Sequence, residues 1–110
     1  MRVLLTFMLL LSLYTAGATN LRGQVVRYNP TTRTYFPLAG VRVDLWIYNG
    51  SKWVDLANTV TGQDGSYFFV NVAPGYLFRV QVFGNYYPQD PLTVAMVYPP
   101  NYQIIPTITT

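Results

Sequence analysis

Residues 41–57 read VRVDLWIYNGSKWVDLA, and they decide the fold class because aliphatic residues alternate with other residues on both sides of a turn. Such alternation is typical of a half-buried β-strand, since successive side chains point to opposite faces of the sheet. The dipeptide Asn49-Gly50 interrupts the pattern and favours the positive φ angles that a tight hairpin turn requires. The stretch therefore predicts a β-hairpin with one face in a hydrophobic core.

The alternation assigns the side chains of this hairpin to two faces. A two-residue turn would place Trp46 opposite Trp53. It would also place Asp44 opposite Asp55, and these carboxylates would repel each other unless Arg42 or a cation lies between them. A four-residue turn would shift the partners and keep each side chain on its face. The outward residues are Arg42, Asp44, Trp46, Tyr48, Trp53 and Asp55. The inward residues are Val43, Leu45, Ile47, Val54 and Leu56.

Turn residues divide the rest of the chain into further short strands. Besides 41–48, strands are predicted at 21–28, 53–57, 59–62, 67–72, 76–83, 92–98 and 103–109. The segments 29–33, 37–40 and 84–91 are rich in Asn, Gly, Pro or polar residues and are predicted as loops or turns. Short strands at this regular spacing indicate an all-β sandwich or barrel.

A second group of aromatic residues falls close to these loops. Loop aromatics can bind ligands, but they more often close the open end of a sandwich, and we expect that use here. The group consists of Tyr35, Phe36, Phe83, Tyr86 and Tyr87.

The first 18 residues are predicted to be a signal peptide. Arg2 supplies a positive start, residues 3–14 are mainly apolar, and Thr15-Ala16-Gly17-Ala18 provides small residues for cleavage after Ala18. An uncleaved anchor is the alternative, but twelve residues are too few for a bilayer core that needs about 20. We therefore expect one secreted or periplasmic domain, residues 19–110, without a membrane span.

The composition argues against catalysis and nucleic-acid binding. The chain contains no His, no Cys and no Glu, so the common nucleophile–base pairs and zinc sites cannot form. We predict no catalytic, metal or cofactor site. The predicted mature chain has six basic and four acidic side chains, a difference of two, and these charges are too scattered to indicate nucleic acid.

Four segments resemble a known family. Residues 21–25 read LRGQV, 37–43 read PLAGVRV, 59–69 read TVTGQDGSYFF and 71–76 read NVAPGY. Together they resemble carboxypeptidase regulatory-like domains, which are similar to transthyretin in fold. The resemblance implies a seven- to eight-stranded Greek-key β-sandwich of the transthyretin or immunoglobulin-like type, in which two antiparallel sheets pack face to face.

The resemblance also implies roles for individual residues. Gly65 and Gly75 would serve turns, and Tyr67, Phe69 and Tyr76 would fill the core. None of these roles is chemical, so the resemblance implies an accessory or interaction module and no reaction.

Two functions from different classes remain open for the outward face of the first hairpin. Its aromatic residues could simply stiffen the sheet as cross-strand pairs. They could instead form a binding face for a sugar ring through Trp46, Tyr48 and Trp53, or for a protein partner. The adjacent charged residues Arg42, Asp44 and Asp55 would belong to this face. Our first hypothesis is protein–protein interaction through an exposed sheet face or edge strand, with self-association left open. Asn49-Gly50-Ser51 is in addition an N-glycosylation sequon, which matters only in a eukaryotic secretory pathway.

Overall fold

The computed structural model describes residues 18–110, which form nine β-strands in two sheets. The strands are β1 (Thr19–Asn29), β2 (Thr34–Pro37), β3 (Arg42–Tyr48), β4 (Trp53–Val60), β5 (Ser66–Val72), β6 (Leu77–Val82), β7 (Asn85–Thr93), β8 (Gln103–Ile104) and β9 (Ile108–Thr109). Within this range there is no helix long and apolar enough to cross a membrane. The predicted signal peptide lies outside the described residues except for Ala18.

The first sheet is built around β1, which pairs with four other strands. Its beginning is antiparallel to β5, with Arg22 opposite Phe68, and its end is antiparallel to β2, with Tyr28 opposite Tyr35. The short strands β8 and β9 pair with β1 in the parallel direction. The second sheet is antiparallel throughout, in the order β4-β3-β6-β7.

The hydrophobic core lies between the two sheets and is supplied by the alternating residues of both. From β3 and β6 it takes the aliphatic and aromatic residues Val43, Leu45, Ile47, Phe78, Val80 and Val82. From the first sheet and the C-terminal segment it takes Leu21, Val25, Tyr67, Phe69, Val72, Ile105 and Ile108. Complete burial of one such side chain stabilises a fold by about 1.5–3 kcal/mol. The predicted all-β sandwich is confirmed, with nine strands in place of seven or eight.

The close approach of the Tyr67 ring requires a glycine at position 23. Tyr67 stands opposite Gly23, and a Cβ atom at Gly23 would lie 2.2 Å from the Tyr67 ring. The ring is therefore accommodated only because the facing residue has no side chain. Burial raises the pKa of the Tyr67 hydroxyl, which has no hydrogen-bond partner among the described residues.

Two strands lie largely where the sequence predicts none. Residues 34–37 form β2, and residues 85–93 form β7 where a loop was expected at 84–91. Both strands contain proline, which removes a backbone donor and therefore suggests a loop. Here both are edge strands, so the missing donor does not interrupt a central ladder. The predicted strand 92–98 is wrong beyond Thr93, and the predicted strands 53–57 and 59–62 are one continuous strand, β4.

The turn between β3 and β4 has four residues, Asn49–Lys52, so Tyr48 faces Trp53. The Asn49 side chain closes it, because its Oδ1 accepts hydrogen bonds from the backbone N–H groups of Ser51 and Lys52, both at 3.0 Å. Gly50 adopts a φ of 98°. The alternative of a two-residue turn is therefore wrong. The predicted division of side chains into an outward and an inward face is correct from the beginning of β3 to Asp55.

A register shift in β4 changes the orientation of one residue that is predicted to face inward. Trp46 pairs with Asp55 and Leu45 pairs with Ala57, so Leu56 is the extra residue of a β-bulge. Leu56 is 56% exposed, and the partly buried Ala57 packs against the core in its place. The prediction that Leu56 faces the core is therefore wrong. The bulge also places Asp44 opposite Asn58 and away from a direct pairing with Asp55.

The second aromatic group does not close an end of the sandwich. Tyr35 and Phe36 lie on β2 of the first sheet, whereas Tyr86 and Tyr87 lie on β7 of the second, so they are not gathered at one place. Only Tyr87 packs against the core, and the other members are exposed: Tyr35, Phe36, Phe83 and Tyr86. Tyr76, which was assigned to the core, is also 40% exposed.

Candidate binding faces

The outer face of the second sheet carries the cluster that we call the aromatic face: Trp46, Tyr48, Trp53, Arg79 and Tyr86. The first three were predicted to share a surface, and the structure brings them together. Arg79 and Tyr86 were not recognised. Arg79 joins because β3 pairs with β6, which places it opposite Trp46. Tyr86 joins because β7 is a strand at the edge of the same sheet.

Arg79 is held between two aromatic rings. Its Cζ atom lies 4.2 Å from the centre of the Trp53 ring and 4.0 Å from the centre of the Tyr86 ring. A guanidinium in this position is attracted by the negative face of each ring, by about 0.5–2 kcal/mol per contact depending on desolvation. The Nε atom of Arg79 is buried and has no hydrogen-bond partner within residues 18–110. Arg79 therefore stabilises the face chiefly through stacking.

The remaining aromatic contacts extend this stack across the sheet. The Tyr48 and Trp53 ring centres are 5.5 Å apart, and Trp46 meets Tyr86 edge-on at 6.0 Å. The indole N–H of Trp46 donates a hydrogen bond of 3.0 Å to Oε1 of Gln81. Because the side chains cover one another, Trp46, Tyr48 and Trp53 are each half-buried.

The three charged residues of the predicted face form a separate group at its edge. Arg42 Nε donates to Asp44 Oδ1 at 2.8 Å, and this contact raises the pKa of Arg42. Partial desolvation raises the pKa of the Asp55 carboxyl, and the nearby Asp44 carboxylate raises it further, while Arg42 partly opposes both. Within residues 18–110, no three His, Cys, Asp or Glu side chains are grouped closely enough to hold a metal ion.

The outer face of the first sheet carries a second cluster, which sequence reasoning missed. We call it the apolar face: Phe68, Val70, Tyr102 and Ile104. These side chains are 42%, 64%, 39% and 66% exposed, respectively. Phe68 and Val70 could have been found, because Tyr67 and Phe69 point inward and strand alternation then points their neighbours outward. The contribution of Tyr102 and Ile104 depends on the pairing of β8 with β1, which no local pattern indicates.

Arg22 lies in the middle of the apolar face. It pairs with Phe68 on one side and with Ile104 on the other. Its Cζ atom lies 5.6 Å from the Phe68 ring centre, and the Phe68 and Tyr102 ring centres are also 5.6 Å apart. In contrast to Arg79, Arg22 is exposed and is not held between two rings.

No family model matches the chain, and no curated protein matches it. Several solved structures are similar to this chain at low sequence identity, among them the following three proteins. A 9R-lipoxygenase from Cyanothece PCC8801 is 19% identical with a TM-score of 0.48, over 86% of this chain and 17% of the lipoxygenase. A Streptococcal ancillary pilin is 10% identical with a TM-score of 0.49, over 84% of this chain and 30% of the pilin. The major pilin subunit of Bacillus cereus is 17% identical with a TM-score of 0.46, over 83% of this chain and 29% of that subunit.

This chain thus spans less than a third of each of these proteins. Similarity at this level does not indicate function, because unrelated activities share β-sandwich folds.

Proposed function

We propose that residues 19–110 are a non-catalytic module that binds another protein through the apolar face. The observation that carries this proposal is the grouping of four large apolar side chains on one exposed sheet surface, each between 39% and 66% exposed. Single exposed apolar residues are common on any protein, but contiguous ones mark interaction sites. The absence of His, Cys and Glu from the sequence supports a role without catalysis.

The chemistry of the apolar face fits a protein partner. Aromatic residues and arginine contribute most of the binding energy at protein interfaces. Phe68, Tyr102 and Arg22 supply both types, and the exposed Arg22 stands between Phe68 and Ile104 on the paired strands. Because Arg22 and Phe68 lie on paired strands and Tyr102 directly precedes β8, their positions are fixed before a partner arrives, which lowers the entropic cost of binding.

The compartment and the family are part of the same proposal. Cleavage after Ala18 would leave β1 complete, since this strand begins at the buried residue Thr19. A secreted or periplasmic domain is consistent with that boundary. The carboxypeptidase regulatory-like, Greek-key assignment is supported by the turn at Gly65, which has a φ of 78°, and by the buried Tyr67 and Phe69.

Carbohydrate binding on the aromatic face is less well supported. A sugar ring needs an accessible aromatic surface on which to stack. Trp53 has Arg79 over its ring and Tyr48 beside it, and the edge of Trp46 meets Tyr86. The geometry therefore favours the alternative use of these residues, the stiffening of the sheet.

Site-specific photo-crosslinking in the organism of origin tests the proposal. A photoreactive amino acid placed at Ile104 should give a discrete crosslinked product with a single protein, identified by mass spectrometry. The same amino acid at Gln63, which is exposed in the turn between β4 and β5, is the matched control. Crosslinks of equal yield and pattern at both positions, or none at Ile104, would refute the apolar face as an interface. A product twice the mass of the chain would identify a second copy as the partner.

A further inference from the structure

A two-stranded hairpin extends the first sheet, and its function is not explained by the fold. We call it the hairpin arm, residues 26–37: the last part of β1, a loop, and β2. The strand β2 has all its pairing partners in β1, and every residue from Pro30 to Pro37 is exposed. An isolated two-stranded hairpin is only marginally stable in water. Except for the buried Val26 at its base, its apolar side chains are exposed and contribute little to the core.

The hairpin arm nevertheless carries three aromatic side chains. Tyr28 and Phe36 are each 40% exposed, and Tyr35 is 64% exposed. Tyr28 and Tyr35 face each other across the two strands, with ring centres 5.0 Å apart. Rigid aromatic residues in exposed positions provide a large contact area at low entropic cost, as they do in the binding loops of antibodies.

Two arginines give the hairpin arm a positive charge without a counterion. Arg27 lies opposite Phe36, and Arg33 stands at the end of the loop. The chain has no Asp or Glu from residue 19 to residue 43. Among the described residues, the single ion pair joins Arg42 to Asp44, so neither arginine of the arm has a carboxylate partner.

The loop of the hairpin arm is held in one shape by its own polar groups. Oδ1 of Asn29 accepts hydrogen bonds from the backbone N–H groups of Thr31 at 3.0 Å and Thr32 at 3.5 Å. The hydroxyls of Thr32 and Thr34 are 2.7 Å apart. Arg33 adopts a φ of 56°, a conformation that non-glycine residues rarely take. An element fixed in this way presents its side chains in a defined arrangement.

We propose that the hairpin arm binds an extended, acidic peptide segment of a partner protein. Within residues 18–110, β2 is paired on one edge only, so an extended peptide can add to the other edge as a further strand. Carboxylates of the peptide would accept charge-assisted hydrogen bonds from Arg27 and Arg33. Its apolar side chains would pack against Tyr28, Tyr35 and Phe36. This site shares no residue with the apolar face, so the two proposals can fail separately.

Fluorescence anisotropy with a labelled peptide of alternating Glu and Val residues tests the proposal on the purified protein. The peptide should bind, and the affinity should fall as the salt concentration rises, because exposed ionic contacts are screened. The double variant Arg27→Gln/Arg33→Gln should bind about tenfold more weakly, the loss expected for about 1.4 kcal/mol. Tyr35→Ser should weaken binding without changing the salt dependence. Lys52→Gln, which removes an exposed charge from the β3–β4 turn, is the matched control and should bind as the unaltered protein does.

Nuclear magnetic resonance on the unaltered protein provides a readout that does not depend on the variants folding. Addition of the Glu-Val peptide should shift the backbone amide signals of residues 26–37 and leave those of the second sheet unchanged. The proposal is overturned if the peptide does not bind, if the double variant binds it equally well, or if a Lys-Val peptide binds with the same affinity. It is also overturned if heparin or vesicles of phosphatidylglycerol bind through the arginines and the Glu-Val peptide does not.

Discussion

The two sheets present outer faces that look alike in sequence and differ in structure. The aromatic face and the apolar face each combine exposed or half-buried aromatic residues with an arginine, Arg79 on the second sheet and Arg22 on the first. On the second sheet the arginine is held between Trp53 and Tyr86, and the side chains cover one another. On the first sheet Arg22 contacts one ring, and the apolar residues around it remain exposed.

This difference shows that the number of outward aromatic residues does not identify a binding face. What separates the two faces is whether neighbouring strands supply groups that fill the space between the rings. The second sheet has four strands side by side, so β6 and β7 add Arg79 and Tyr86 to the aromatic residues of β3 and β4. In the first sheet only β5 and the two-residue strand β8 lie beside the beginning of β1, so fewer side chains cover the apolar face.

The largest effect expected from this comparison is that of Trp53→Ala. Removal of the indole takes away the contacts with Tyr48 and Arg79, and we expect the free energy of unfolding to fall by about 2 kcal/mol. The matched variant Phe68→Ala on the apolar face should lower it by less than about 1 kcal/mol, because the ring of Phe68 is already substantially exposed. Urea unfolding followed by circular dichroism measures both. Equal losses of stability for the two variants would contradict the distinction between the packed aromatic face and the exposed apolar face.

A smaller loss of stability is expected when Arg79 of the aromatic face is replaced by a cation of another shape. Arg79→Lys keeps the charge but loses the planar group that stacks between two rings, so stability should fall by about 1 kcal/mol. Arg42→Lys is the control, since Arg42 is exposed at the beginning of β3, where it pairs with Asp44, and it should change stability by less than about 0.5 kcal/mol. If Arg79→Lys were also neutral, stacking would not be what holds the aromatic face together.

The sequence predicts the inner faces of this fold better than its outer faces. Alternating aliphatic residues place Val43, Leu45 and Ile47 in the core, where the structure has them. The register of β4 could not be predicted, because the bulge at Leu56 depends on pairing geometry and not on a local residue preference. The Asn49-Gly50 dipeptide indicates a turn, but the side-chain hydrogen bonds of Asn49 produce a four-residue turn that the dipeptide alone does not distinguish from a shorter one.

The candidate sites depend on long-range pairing even more strongly. Trp46 and Arg79 are neighbours because β3 pairs with β6, and Arg22 and Ile104 are neighbours because β8 runs parallel to β1. Neither pairing leaves a signal in a single sequence. The sequence predicts a loop over most of β7 because Pro88 and Pro91 lack backbone donors, although an edge strand does not need them. The aromatic residue Tyr86 was lost from the predicted face for this reason.

A third prediction concerns the charged edge of the aromatic face. The folded-state pKa of Asp55 is raised, so the folded protein binds more protons than the unfolded chain and loses stability as the pH rises through the range of this carboxyl. Asp55→Asn removes this loss. We expect the variant to be more stable than the unaltered protein at about pH 7, by at most about 0.5 kcal/mol, and the difference to vanish at about pH 3. Thermal unfolding at both pH values measures this, and a variant that is less stable at neutral pH would show that Asp55 stabilises the edge.

The smallest effect on stability is expected from a substitution on the apolar face. Ile104 is 66% exposed, so Ile104→Asn removes an apolar side chain that is mostly in contact with water already. We expect the free energy of unfolding to change by less than about 0.5 kcal/mol. The variant should nevertheless bind less of a hydrophobic dye such as anilinonaphthalene sulfonate, because the contiguous apolar surface of the face is interrupted. Trp46→Asn on the aromatic face should show the opposite combination, a clear loss of stability with no loss of dye binding by the folded protein. A large destabilisation by Ile104→Asn would mean that Ile104 supports the fold, and the apolar face would then be a part of the structure and not a surface kept free for a partner.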